Sequence, residues 1–385
     1  MTPAALLGLA LVALGAPNTD AQIRKKAEAL VAQLGDPDFR DRERAGKALI
    51  ELGYAAREAV LAGQKSSDHE ISERCKKLYP IIWRIDLEKR VQKFLDNPGG
   101  PIPDGLPWAT RWVAIAGGGK ESRELYAAMV KANPEQLQEV ELHPDRLAQV
   151  LVDLMRNVYS RIYTRVPGTP TSERPTATEA EVLMFLFLGA AGEARPTLIP
   201  GISSTHYYQF LNSPALTARL AGRPAGEPLR RLYAAWLEKE RYTIVLRRGI
   251  DIAAQHGVQE CAPVALKIAS DPRTIITVRA TALIGFSKLG TKDQIKDLAP
   301  FLADKTQIAR VTVNGELGSV QMRDVALGAA VQLAGQNMTE FGFERRPPSG
   351  ALALSSYTYY AFGTDEKREA AQQKWKEWAE KNLKK

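Results

Sequence analysis

The chain has 385 residues, 45% of them hydrophobic and 25% charged. That length suits two or three ordinary domains or one extended repeat array, and the composition excludes a chain too polar to fold. Its formal charge of +8 attracts polyanions only weakly, and its two cysteines are too few for a disulfide framework.

Ala4 to Ala16 is a thirteen-residue apolar run, shorter than the about 20 residues a membrane helix needs. Thr19-Asp20-Ala21 supplies small residues near a plausible cut, although no Lys or Arg precedes the run. Residues 1–21 are therefore expected to be an export leader, with a buried first helix as the other reading. The mature protein would be periplasmic or extracellular and carry no transmembrane segment. Losing residues 1–21 removes one acid, Asp20, and no base, so the formal charge rises from +8 to +9.

The stretch LGDPDFRDRERAGKALIELG, Leu34 to Gly53, reads as one helix with an acidic start and a glycine stop. Its ladder is Arg42-x-x-Ala45-x-x-x-Leu49-x-x-Leu52-Gly53. Offsets of 3, 7 and 10 fall on one helical stripe, and the glycine marks a C-terminus. A weaker copy starts at Ser72, with Cys75, Tyr79 and Ile82. Residues 96–107, DNPGGPIPDGLP, are a breaker-rich linker that closes the segment 22–95.

The middle, 108–227, departs from this pattern. Trp108 and Trp112 stand four apart, and Arg123 to Val130 and Arg146 to Tyr163 read as helices. The polar loop 165–177 ends in Thr178-x-x-Glu181, a capping box that opens the run VLMFLFLG. That run is apolar on all sides, which predicts a central buried helix. Thr205-His206-Tyr207-Tyr208 reads as a loop cluster with a weak claim to an aromatic pocket.

Leu229 to Arg241, with Trp236, is the next helix, and the ladder returns over 228–335. A weak copy starts at Arg247, with Ile250, Ala254 and Gly257. A strong one is Arg279-x-x-Ala282-x-x-x-Phe286-x-x-Leu289-Gly290, and a third is Arg323-x-x-Ala326-x-x-x-Ala330-x-x-Leu333-Ala334. Residues 308–320 carry Val311-Thr312-Val313 before Asn314-Gly315, the favoured type I′ turn, so a small β-hairpin is predicted there. The segment 336–385 comprises an aromatic, Gly- and Pro-rich tail and a capping helix, Asp365 to Asn382, with Trp375 and Trp378.

Each glycine is followed by fourteen or fifteen residues before the next Asp-marked turn, room for a second helix of about three turns. Starts are 30 (42 to 72), 32 (247 to 279) and 44 (279 to 323) residues apart, the range of an α-solenoid. The Asp-Pro turns at Asp36 and Asp271, the Arg-x-x-Ala helix and its partner together resemble HEAT repeats and their armadillo-type relatives. The leader, the divergent middle and Trp375-Lys-Glu-Trp378 resemble exported bacterial HEAT-like proteins without an assigned function. The resemblance implies an all-α fold in which Asp36 and Asp271 cap helix starts and Arg42 and Arg279 pair with turn acids or carbonyls. It leaves those residues structural, together with Ala45, Leu49, Leu52, Ala282, Phe286, Leu289, Arg323, Ala326 and Leu333.

Catalytic signatures fail on inspection. His69-Glu70-Ile71-Ser72-Glu73 lacks the second histidine of a zinc-protease helix, and Gly117-Gly118-Gly119-Lys120 lacks the Ser or Thr of a phosphate loop. The four histidines lie in different segments, no Gly-x-Ser-x-Gly elbow occurs, and the sequon Asn337-Met338-Thr339 says little without a known host. No cofactor or metal is expected, and Cys75 and Cys261 read as core residues, with a bridge between them open in an oxidising compartment. The reading is a non-enzymatic α-solenoid that binds a protein or cell-envelope component. The alternative is a basic solenoid for a polyanion, nucleic acid or acidic polysaccharide, with Arg247 and Arg248 as candidates. The scatter of basic residues over separate segments argues against nucleic acid.

Overall fold

The computed structural model describes residues 20–164, 175–192, 201–222, 226–345 and 356–383. Residues 1–19 of the expected leader, 165–174 of the polar loop, 346–355 of the aromatic tail and the last two lysines lie outside the described residues. The chain is mostly helical with one two-stranded antiparallel sheet, and it divides into two compact units: 1–94 with 103–106, and 95–102 with 107–385.

The first unit holds α1 (Asp20–Gln33), α2 (Phe39–Leu52), α3 (Arg57–Gly63) and most of α4 (His69–Asp96). In α2 burial follows the ladder: Ala45 and Leu49 are buried and Leu52 packs half-buried beside them. In α4 the buried residues include Ser72, Cys75, Tyr79 and Ile82, the same offsets. Cys75 and Cys261, in different units, are both free and buried. Each thiol is pushed up by burial.

The turn chemistry corrects one expectation. The N-cap of α2 is Asp38, which accepts from Arg40 N at 2.8 Å; Asp36 instead accepts from Asp38 N at 2.8 Å. Asp271 repeats this arrangement, taking Arg273 N at 3.0 Å, five residues before the next helix begins at Ile276. An Asp followed by Pro closes an Asx turn two residues on, so neither Asp36 nor Asp271 caps a helix start. Arg42 does reach carbonyls, Asp36 O at 2.6 Å and Pro37 O at 3.0 Å, and lies 3.3 Å from Glu70.

The second unit runs through α5 (Ala109–Ala116), α6 (Lys120–Ala132), α7 (Pro134–Leu142), α8 (Leu147–Tyr163) and α9 (Glu179–Ala191). Then come α10 (Ser204–Leu211), α11 (Pro214–Ala221), α12 (Glu227–Lys239), α13 (Thr243–Gln255) and α14 (Ala262–Ser270). The capping box at Thr178 and Glu181 opens α9, whose residues Val182–Leu188 are all buried between α6, α8 and α12. Next are α15 (Ile276–Leu289), α16 (Ala299–Leu302), strands β1 (Gln307–Val313) and β2 (Glu316–Gln321), α17 (Met322–Leu333) and α18 (Asp365–Asn382). The hairpin pairs Val313 with Glu316 around Asn314 and Gly315, at φ 50° and 87°, and Ser319 bridges on to Phe362.

Two expectations need correction here. α15 and α17 are not amphipathic. Ala282, Phe286 and Leu289 are buried, but so are Ala280, Leu283 and Ile284 on the other faces; in α17 every residue from Met322 to Val331 is buried, while Leu333 is half-exposed. The ladder offsets sample one stripe of helices that are apolar all round, because α15 packs against α13, α14 and α17 together. The second helices are also shorter than three turns. 3₁₀ turns occupy Gly53–Ala56, Gln259–Cys261 and Lys292–Leu298, leaving 7, 9 and 4 α-helical residues. Pro263 and Pro300 sit in the first turns of α14 and α16, where the missing N–H costs no intrahelical bond.

Candidate functional site

Three arginines of the second unit, two of them beyond the ladders read from the sequence, bond backbone carbonyls in the same way. Arg279 donates Nε to Ala269 O at 2.6 Å. Arg230 donates Nη2 to Leu220 O at 2.6 Å and Gly222 O at 2.9 Å, and Arg123 reaches Gly118 O at 2.9 Å and Gly100 O at 2.6 Å. These bonds satisfy carbonyls that a helix end or turn leaves without an internal partner. Arg279 further approaches Asp304 at 3.5 Å, and Arg323 bonds Glu369 at 2.7 Å. Arg123 and Arg230 were missed because Tyr126 and Tyr233 replace the ladder alanine; Val130 and Leu237 keep the next offset.

A cleft of about 530 Å³ opens among α8, α9, α10, α12, α13 and the turn after α14. Its floor is aromatic. Phe185 on α9 meets Trp236 on α12 at 5.6 Å between ring centroids and Tyr207 on α10 edge-on at 5.8 Å. Tyr207 in turn lies edge-on to Tyr242 at 6.1 Å. Trp236 fits because Gly189 faces it: a Cβ there would sit 2.6 Å from the indole Cδ1. The rim is largely charged, with one exposed apolar side chain, Ile275, at 55% exposure; Ile244, at 50%, follows the lining residue Thr243.

The charged wall is formed where α12 and α14 end. Lys267 is ion-paired with Glu238, and Arg273 grips Asp271 through two contacts of 3.0 Å, which hold that carboxyl below its ordinary range. Arg241 donates to the carbonyls of Glu238 at 2.8 Å and Glu240 at 2.7 Å. Glu240 is different. Its Oε1 accepts the backbone N–H groups of Arg241 and Tyr242, both at 2.7 Å. Among the described residues it forms no ion pair, and burial pushes its carboxyl above the usual carboxylate range. Glu240 stands ten residues after Arg230, the rung occupied by Leu52, Leu289 and Leu333 in three other ladders and by Asn133 in that of Arg123.

Of the five binding candidates in the sequence, only Tyr207 lines this cleft. The Thr205–Tyr208 cluster is not a loop: Ser203 opens α10 with His206 at the third helical position, and Tyr207, Phe210 and Leu211 form its buried face. The His206 ring stacks on Tyr159 at 4.4 Å and its Nδ1 accepts from Ser203 N at 3.3 Å. Burial lowers its pKa. Tyr208 is half-buried. Arg247 and Arg248 lie half-buried on α13, where Arg248 donates to Asn212 Oδ1 at 2.7 and 3.2 Å.

A second, more open groove of about 480 Å³ runs along α18 beside Leu302 and Trp375, where Glu369 is already engaged by Arg323. Among the described residues no group of three His, Cys, Asp or Glu could hold a metal, and no helix is long and apolar enough to cross a membrane. No protein-family model and no curated protein matches the sequence.

Proposed function

We propose that the protein is an exported, non-enzymatic α-solenoid of HEAT-like helix pairs, and that it binds a partner protein of the cell envelope through the cleft of its second unit. The helix-pair reading is supported by Arg42, Arg123, Arg230 and Arg279, each bonding a carbonyl at a turn or helix end near its own helix. Export rests on the apolar run Ala4–Ala16.

The observation that carries the binding reading is a concave cleft whose aromatic floor is shaped by Gly189, with the exposed Ile275 on its rim, Ile244 exposed beside the lining residue Thr243, and charged groups held in place by their own ion pairs. The test is capture from envelope extract of the source organism by the wild-type chain and by Ile244→Asp/Ile275→Asp. Both side chains are half in solvent, so the fold should tolerate the change. Leu317→Asp, at 71% exposure on β2, is the control for losing exposed apolar surface elsewhere. Partners should be lost with the double variant and kept with the control. Equal capture by all three chains would refute the cleft as the binding surface.

A further inference from the structure

We infer that the free edge of β1 is a docking site for an extended, acidic strand of another protein, which joins the hairpin as a third strand beside Arg310 and Thr312. This surface is separate from the cleft and does not depend on it. It follows from the hydrogen-bond pattern of the hairpin. The two-residue turn Asn314-Gly315 makes Val313 and Glu316 a hydrogen-bonded pair, and in an antiparallel ladder such pairs alternate with pairs whose N–H and C=O groups face away. By the register, Val311 with Gly318 and Ala309 with Val320 bond each other, whereas Arg310 with Ser319 and Thr312 with Leu317 turn their backbone groups outward. Ser319 agrees with this phase: its N–H and C=O exchange bonds of 3.2 Å with Phe362 on the far side of β2.

The two edges of the hairpin therefore differ. At β2 the edge is closed by Phe362, so tightly that a Cβ on Gly318 would clash with the Phe362 carbonyl oxygen. At β1 the N–H and C=O groups of Arg310 and Thr312 meet no protein partner among the described residues. Both residues are exposed, β1 contains no proline, and the bulge that interrupts pairing lies at its start, between Gln307 and Ala309. Unpaired backbone groups along a regular β-branched run, Val311 to Val313, are the template onto which a further strand adds.

Charge selects the occupant. The Arg310 side chain forms no ion pair among the described residues, while acids of its own segment are taken, Asp304 by Arg279 at 3.5 Å and Glu316 by Lys367 at 3.7 Å. A charged residue on an edge strand deters indiscriminate pairing, and it favours a strand that sets Asp or Glu directly opposite. Val311, half-buried on the other face of β1, would meet an apolar residue between two such positions. The occupant thus alternates acidic and apolar residues. A second copy of this chain fits less well, since antiparallel pairing of two β1 strands sets the two Arg310 side chains opposite or diagonal to one another on one face.

The probe is a capped hexapeptide of alternating valine and glutamate, titrated into the full chain at pH 7.5 and low salt. The first readout is amide hydrogen exchange resolved to single residues. In the free chain Val311 and Val313 should be protected and Arg310 and Thr312 should not; saturating peptide should slow those two amides about tenfold. Calorimetry should give a Kd on the order of millimolar, as expected for so short a strand. N-methylation of the peptide's glutamates removes the N–H groups aimed at β1 and keeps the charge, and it should abolish binding. Replacing glutamate by lysine should weaken binding about fivefold. Arg310→Glu, at an exposed position that the fold should tolerate, should reverse the preference between the two peptides. Unchanged exchange at Arg310 and Thr312, equal binding of the N-methylated peptide, or a preference that ignores the charge at Arg310 would overturn the proposal. A concentration-dependent dimer of the chain alone in which the same two amides become protected would also overturn it, and would make a second copy the occupant. Leu317 belongs to β2 and gives no backbone group to this edge, so Leu317→Asp keeps its place as the control for the cleft.

Discussion

The carboxyl-terminal helix is fastened by one buried ion pair, and breaking it should cost more than removing it altogether. Arg368 on α18 and Asp324 on α17 are both fully buried, with Arg368 Nε 2.9 and 3.0 Å from the two carboxylate oxygens. Nη2 donates to Ser319 O at 3.0 Å and Ser319 Oγ at 2.9 Å, and Nη1 pairs with Asp365. Asp324→Leu strands a guanidinium in the core, and Arg368→Leu strands a carboxylate. Either should cost about 3–5 kcal/mol, the usual penalty for leaving half of a buried pair. The second unit has roughly 290 residues, so at about 2.1 cal/mol/K per residue its unfolding entropy is about 0.6 kcal/mol/K. The singles should therefore lower Tm by about 5–8 °C. The double variant Asp324→Leu/Arg368→Leu removes both charges and should recover more than half of either loss. The assay is calorimetric melting of all four chains at pH 7.5. A double variant that melts at the sum of the two single losses would refute the reasoning, as would single variants that melt with the wild type.

Ala282 is fully buried beside Phe286 and Leu289, so Ala282→Asp should cost several kcal/mol in urea unfolding, whereas Lys288→Ala, exposed on the same helix, should stay within about 0.5 kcal/mol. Burial pushes the Asp251 carboxyl up to about 6 against the pull of Arg247 and Arg248, and its Oδ1 has no hydrogen-bond partner among the described residues. The folded value lies above the unfolded one, so this group favours the fold most at low pH and that contribution is lost as pH rises through 6. Asp251→Asn should gain up to about 2 kcal/mol at pH 8, allowing for partial exposure, and nothing near pH 4. Duplex DNA should bind weakly at 50 mM salt and not at 150 mM, because the arginines are spread and many already pair with acids, as at Arg24, Arg74 and Arg231; sub-micromolar affinity at 150 mM, lost in Arg247→Glu/Arg248→Glu, would reverse that ranking.

Some of the fold could be read from local chemistry alone. Asn314-Gly315 marked its hairpin because a type I′ turn needs two positive φ angles, and Thr178 with Glu181 marked the start of α9 because a capping box is complete within four residues. What could not be read was how many faces a helix buries. Ala282 and Phe286 belong to a stripe in the sequence, yet in α15 the neighbours α13, α14 and α17 bury most of the helix surface beyond that stripe. The cleft was less legible still. Tyr207 stood out by composition, but Phe185, Trp236 and Glu240 come from segments 22 to 33 residues away, and no local pattern brings them together.

The ladders of Arg123 and Arg230 depart from the others at offsets 3 and 10, and each departure has a physical account. At the third offset Tyr126 and Tyr233 replace the alanine, and a buried phenol needs a partner for its hydroxyl. Tyr126 finds Pro107 O at 2.8 Å and Tyr233 finds Gly249 O at 2.8 Å, so each ring fills a layer that a methyl group fills in α2 and α15 and ties it to neighbouring backbone. At the tenth offset Glu240 replaces leucine. The carboxylate keeps that end polar and takes backbone N–H groups from its own turn. The tyrosines strengthen packing, whereas burial of the Glu240 carboxyl opposes folding, a cost that the two backbone N–H groups and the neighbouring Arg241 charge offset in part.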